Sequence, residues 1–195
     1  IEVPVAGRYF GQLADAGERV RLQSAAGLTL LDLTYSTSPP WPAGTAGGGY
    51  SLVFAHPERG LNNPLAWRAS ITTNGTPGGT DATQFSGVPD ADADADGLPA
   101  LLEYALGTLD NNPASGPEAL RPGFAASGEF QLSFTRSLAA DDVTVEVQTS
   151  DDLSAWSSAQ RLSSEPVSAG WVRETWGTPA TGRPQAYLRI RVLQP

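Results

Sequence analysis

Apolar residues fall on every second position along much of this chain. They are Phe130, Leu132 and Phe134 in "FQLSFT", Val143, Val145 and Val147 around "VTVEVQTS", and Leu188, Ile190 and Val192 in "AYLRIRV", where Arg189 and Arg191 alternate with them. A period of two sends successive side chains to opposite faces, so each run reads as a strand with one face buried and one wet. The first 80 residues behave alike. "ERVRLQS" sets Val20 and Leu22 against Arg19 and Arg21, "LTLLDLTYS" follows across an "AAG" turn, and "GYSLVFA" comes after a Pro/Gly-rich loop. With 21 glycines and 16 prolines among 195 residues, and almost no long run of 3.6 periodicity, an α or α/β protein is excluded. The expected class is mainly β, with short antiparallel strands and many turns.

Periodicity is lost over 74–87, "NGTPGGTDATQFSG", which reads as an exposed linker. Residues 98–106, "LPALLEYAL", are the one good helix: Pro99 stands near the first turn, Leu98, Leu102 and Leu106 repeat at i, i+4 and i+8, and Gly107 is placed to cap the C-terminus. The expected organisation is a β unit over 1–80, a linker with a loop and helix over 81–119, and a small antiparallel sandwich over 120–195.

Charge is concentrated in the middle segment. Between Ser70 and Leu120 there are eight acids and no arginine, so nearly all of the net charge of −9 lies there. No basic stripe exists to neutralise phosphates, which excludes nucleic acid and anionic membranes as expected partners. No apolar run is long enough to insert into a membrane. The chain lacks cysteine, so it can form no disulfide, iron–sulfur cluster or thiolate zinc site. It also lacks methionine, and a start at "IEVPVAG" is that of a processed product or fragment, with any export signal expected upstream.

The acidic run "DADADADGLPALLEYALG" matches the calcium loop D-x-D-x-D-G-x-x-x-x-x-E without a gap. Asp92, Asp94 and Asp96 take the first, third and fifth positions, Gly97 the sixth, the carbonyl of Leu98 the seventh and Glu103 the twelfth. Ca²⁺ takes about 6–8 oxygens at ~2.3–2.6 Å. Alternate residues of a tight loop point inward together, glycine permits the turn, and the distant glutamate closes the shell with two oxygens. A solvated acidic linker is the simpler reading of an Asp/Ala run, but it leaves Gly97, Glu103 and the helix start unexplained. Four carboxylates so close repel without a cation. Pro99 occupies the eighth position, where paired loops place a β-branched residue, so a single structural site is expected rather than a paired sensor.

"DADADADGLPALLEYALGT" resembles the calcium-binding repeats of thrombospondin type 3 and dockerin kind, in the single-copy form found near the C-termini of large secreted bacterial proteins. The resemblance implies structural Ca²⁺ held by Asp92, Asp94, Asp96 and Glu103. Where that family continues "GTDP" this chain reads "GTLDNNP", moving the acid to Asp110 and leaving the parts of Asp110 and Asp90 open. "GRYFGQLADAGERVRLQSAAGLTLLDLTYSTSPPWPAGTAGGGYSLVF", with "NNPLAWRAS" and "GTPGG", is similar to the second half of bacterial lamin-tail domains, which are immunoglobulin-like sandwiches. That likeness implies an incomplete sheet unit whose edges another segment or subunit completes. "FQLSFTRSLAADDVTVEVQTSDDLSAWSSA" through "YLRIRVLQP" resembles the small sandwich that ends many such proteins. Together these imply two Ig-like β units joined by an EF-hand-like loop and one helix.

Little else carries chemistry. His56 is the sole histidine and no G-x-S-x-G sequence partners it, so neither a Ser–His–Asp triad nor a two-histidine metal site is expected. Asp141–Asp142 and Asp151–Asp152 flank one strand as ordinary turn acids. Of the five tryptophans, Trp67 and Trp156 are expected in packing, while Trp171 and Trp176 are candidates for stacking on a glycan. The expected function is that of a non-catalytic, calcium-binding, extracellular or cell-surface bacterial structural or adhesion module, in which calcium stiffens the connection between two β units. The alternatives are a carbohydrate-binding module and an accessory domain of a secreted hydrolase.

Overall fold

A computed structural model describes residues 10–116, 118–178 and 185–194. The chain divides into two compact units, Ile1–Ala82 and Thr83–Pro195. Residues 1–9 of the expected N-terminal unit lie outside the described residues. No helix among the described residues is long and apolar enough to cross a membrane.

In the first unit β1 (Arg19–Gln23) and β2 (Thr29–Thr34) form an antiparallel hairpin in which Val20 faces Leu33 and Leu22 faces Leu31. Gly27 closes the turn at φ 81°, a left-handed conformation that a side chain disfavours. Leu33 is buried, and the other face carries an ion pair in which Arg19 and Arg21 both donate to Asp32, at 2.6 and 2.9 Å. The outer edge of β2 is met by Asn62, which accepts from the Thr34 N–H at 2.8 Å and donates to the Asp32 carbonyl at 3.3 Å. A second hairpin pairs β3 (Leu52–Phe54) with β4 (Trp67–Ala69) and stacks Phe54 on Trp67, ring centres 4.9 Å apart. Arg68 on β4 donates to the buried Asp81 carboxylate at 2.6 Å and to its carbonyl.

The second unit opens with α1 (Ala100–Leu106), followed by β5 (Leu120–Phe124), β6 (Phe130–Ser137), β7 (Thr144–Ser150), β8 (Ser157–Ser158), β9 (Gln160–Ser168), β10 (Trp171–Gly177) and β11 (Tyr187–Leu193). They form a four-stranded sheet in the order β5-β6-β10-β9 and a three-stranded one in the order β11-β7-β8, with every pair antiparallel. Pro122 and Pro166 sit on the edge strands β5 and β9, where a missing N–H can face solvent. The alternation read from the sequence sets the core: Leu132 and Phe134 of β6 and Val147 of β7 are buried together with Leu106 of α1, and Leu98, Leu102, Leu188 and Ile190 pack against them. A second cluster joins Leu101 and Ala105 of α1 to Ala140 and Val143. The helix therefore serves two clusters at once, and a seven-residue helix needs such packing because it is too short to be stable alone.

The helix begins at Ala100, not at Leu98. Pro99 is extended (φ −67°, ψ 146°), and a residue before proline is pushed out of the helical region, so Leu98 belongs to the loop. At the other end Gly107 takes φ 73°, and its N–H closes onto Tyr104 as a C-terminal cap.

Candidate metal centre

The loop before α1 folds back on its own aspartates. The Asp96 N–H donates to Asp92 Oδ1 at 3.1 Å and to Asp94 Oδ1 at 3.2 Å, the Gly97 N–H donates to Asp92 Oδ2 at 3.0 Å, and the Leu98 N–H donates to Asp96 Oδ1 at 2.8 Å. Two left-handed residues make this tight path possible, Ala95 at φ 62° and Gly97 at φ 94°. Glycine bears such a conformation freely; alanine at that φ costs about 1–2 kcal/mol. Asp92, Asp94 and Asp96 each bring a carboxylate oxygen within 4.8 Å of the others, so the three could hold a metal ion.

Glu103 is not one of that group of three, but its side chain is fully buried. Its Oε1 accepts from the Thr108 hydroxyl at 2.9 Å, whereas Oε2 is shielded from solvent and has no hydrogen-bond partner. The same is true of Asp94 Oδ2 and Asp96 Oδ2. Shielded polar atoms are nearly always paired, and an unpaired carboxylate oxygen is the most costly kind to bury. Burial first, and then the charges of Asp96, Asp94 and Asp110, push the Glu103 carboxyl above its usual range, with the Thr108 hydrogen bond opposing them. Three unpaired anionic oxygens in one neighbourhood are the pattern expected of a hard cation's ligands, and the donor set is all oxygen. Asp92, Asp94 and Asp96 could hold such an ion.

A returning loop over 107–116, which carries no periodic signal, completes the surround. Asp110 Oδ1 accepts from the Ala93 N–H at 3.4 Å, and the Leu109 N–H donates to the Ser115 hydroxyl at 3.0 Å. Gly116 is buried against the cluster so closely that a Cβ there would run into Asp96 Oδ2. The Asp110 carboxylate thus touches the aspartate loop at the Ala93 N–H; Asp90 is exposed and outside the grouped aspartates. The Leu98 side chain packs against the core.

The other residues singled out in the sequence sit in structural settings. His56 precedes a 3-10 turn, Pro57–Arg59, with Nδ1 3.4 Å from Glu58. Asp142 accepts from Tyr104 and from the Phe85 N–H, and Asp152 accepts from Ser154 and Ala155 in the turn after β7. Trp67 donates Nε1–H to the Leu61 carbonyl, and Trp156 lies under the Arg189 guanidinium, 4.0 Å from its ring centre. Trp171 lies where a Cβ on Gly107 would strike its ring. Trp176 packs on the main cluster and donates Nε1–H to the buried Glu174 at 3.0 Å. Comparison with protein-family models, with curated proteins and with solved structures finds no match for this chain.

Proposed function

We propose that this chain is a non-catalytic calcium-binding structural module. Asp92, Asp94 and Asp96, the Leu98 carbonyl and Glu103 would hold one Ca²⁺. The observation that carries the reading is the set of shielded, unpaired oxygens on Asp94, Asp96 and Glu103. A bound cation would offset the repulsion among these acids and hold the aspartate loop, α1 and the returning loop as one body.

In this reading the ion stiffens the chain where it enters the second unit, between two Ig-like β units of an extracellular or cell-surface bacterial protein serving adhesion or assembly. The thrombospondin type 3-like motif and the lamin-tail-like string support that setting, and strand completion of the first unit by another segment or subunit belongs to it. The packing of Trp171 on Gly107 and of Trp176 on the core favours a scaffold over a glycan platform built on those two rings.

Calorimetric titration with Ca²⁺, run on this chain and on Asp94→Ala, tests the reading. One binding site that the substitution abolishes is the expected result; no heat at millimolar Ca²⁺ would refute it.

A further inference from the structure

Helix α1 presents neighbouring residues to two different partners. The Glu103 carboxylate accepts from the Thr108 hydroxyl at 2.9 Å, and Tyr104 beside it donates its hydroxyl proton to Asp142 Oδ1 at 2.7 Å. The Tyr104 oxygen also meets the Thr83 hydroxyl at 2.9 Å, and the Tyr104 ring packs edge-on against Phe85, with centres 5.4 Å apart. Thr83 and Phe85 are fixed in turn through their backbones: the Thr83 N–H donates to the Ala139 carbonyl at 2.8 Å and the Phe85 N–H to Asp142 Oδ2 at 2.7 Å. The segment from Thr83 to Ala91 is thereby strapped to the second unit.

Its far end is tied to the helix as well. The Leu101 N–H donates to the Pro89 carbonyl at 3.1 Å and the Ala100 N–H to the Ala91 carbonyl at 2.7 Å. Helix N–H groups of the first turn have no partners within the helix, and Pro99 supplies no side-chain cap. Capping of α1 therefore depends on the path of residues 89–91, which lead directly into Asp92.

We infer that metal occupancy controls the docking of the Thr83–Ala91 strap through α1, with Tyr104 as the coupling residue. The inference rests on the calcium reading above. Without a cation the repelling carboxylates loosen the aspartate loop, the helix loses its backbone caps and the Tyr104 hydroxyl its fixed position, and the strap amides open. With the cation bound, all three are held, because binding free energy is available only to the ordered arrangement.

Hydrogen–deuterium exchange of the full chain, read on peptides covering the strap in Ca²⁺ and in chelator, tests this alongside calorimetry. Strap amides are expected to exchange about tenfold more slowly with Ca²⁺. Tyr104→Phe, which keeps the ring packing, and Thr83→Val are each expected to bind Ca²⁺ at one site while the strap exchanges fast in both conditions. Equal strap exchange with and without Ca²⁺, while calorimetry records binding, would overturn the coupling alone. A strap in Tyr104→Phe as responsive as in the parent would remove Tyr104 from it, and a titration without heat would remove the metal reading and the coupling together.

Discussion

Thr108 donates its hydroxyl proton to Glu103 Oε1 and leaves Glu103 Oε2 buried without a partner. The carboxylate is thus oriented by one oxygen and available through the other, in a setting where burial first, and then Asp96, Asp94 and Asp110, make its charge unfavourable. Replacing Glu103 by Gln keeps an acceptor for Thr108 and removes the charge. Calcium affinity is expected to fall by at least about tenfold, since a charged ligand is lost, while stability in chelator is expected to rise by about 1 kcal/mol as a repelled buried charge disappears. Titration and chelator melts on Glu103→Gln read the two effects separately; loss of stability in chelator with affinity intact would contradict both.

Thr108→Val keeps the shape and removes the donor. A hydrogen bond to a charged group contributes about 1.5–3 kcal/mol, part of which is recovered by solvent or by the cation itself. Calcium affinity is expected to drop about fivefold or more, with Thr108→Ser restoring it. Failure of the serine to restore affinity would make the role of Thr108 one of packing.

Gly116 leaves no room for a side chain beside Asp96, whereas Gly123 on β5 has nothing within 4 Å of where a Cβ would stand. Gly116→Ala is therefore expected to displace Asp96, cost about 1–3 kcal/mol and weaken calcium binding. Gly123→Ala serves as the control and is expected to change neither the melting temperature nor the titration appreciably. Equal behaviour of the two variants would show that the 107–116 loop is not packed on the centre.

In the first unit, the hydrogen bond from Arg19, aided by Arg21 and by both positive charges, holds the Asp32 carboxyl down to about 2, with its partial desolvation opposing them. A depressed carboxyl contributes stability above its unfolded value and loses it as the pH falls through its folded value. The stability advantage of the parent over Asp32→Asn is expected to be full at pH 5 and to close as the pH falls from 3.8 toward about 2. Melts of the two proteins across that range check it, and a gap that persists unchanged at pH 2 would contradict it.

The strand pattern was legible because half-buried strands announce themselves locally: Leu132, Phe134 and Val147 alternate in sequence and are buried in the core. Leu102 and Leu106 of α1 likewise meet one cluster, as their helical spacing requires, and Leu98 joins them from the loop rather than from the helix. The grouping of Asp92, Asp94 and Asp96 followed from the loop spacing. What the sequence did not disclose lies at long range. Nothing local marks Gly116 as the residue packed on Asp96, or Asp142 as the acceptor for Tyr104, 38 positions away. The "GT" after the helix was the one available signal for Thr108, and its meaning depends on the buried rotamer of Glu103.

The most direct measurement is a crystal structure of the chain grown in millimolar Ca²⁺, with anomalous scattering to identify the ion. One calcium is expected, with oxygens of Asp92, Asp94 and Asp96, the Leu98 carbonyl and Glu103 Oε2 at ~2.3–2.6 Å. A centre holding only water at those oxygens, with Glu103 bound to Thr108 alone, would contradict the metal reading.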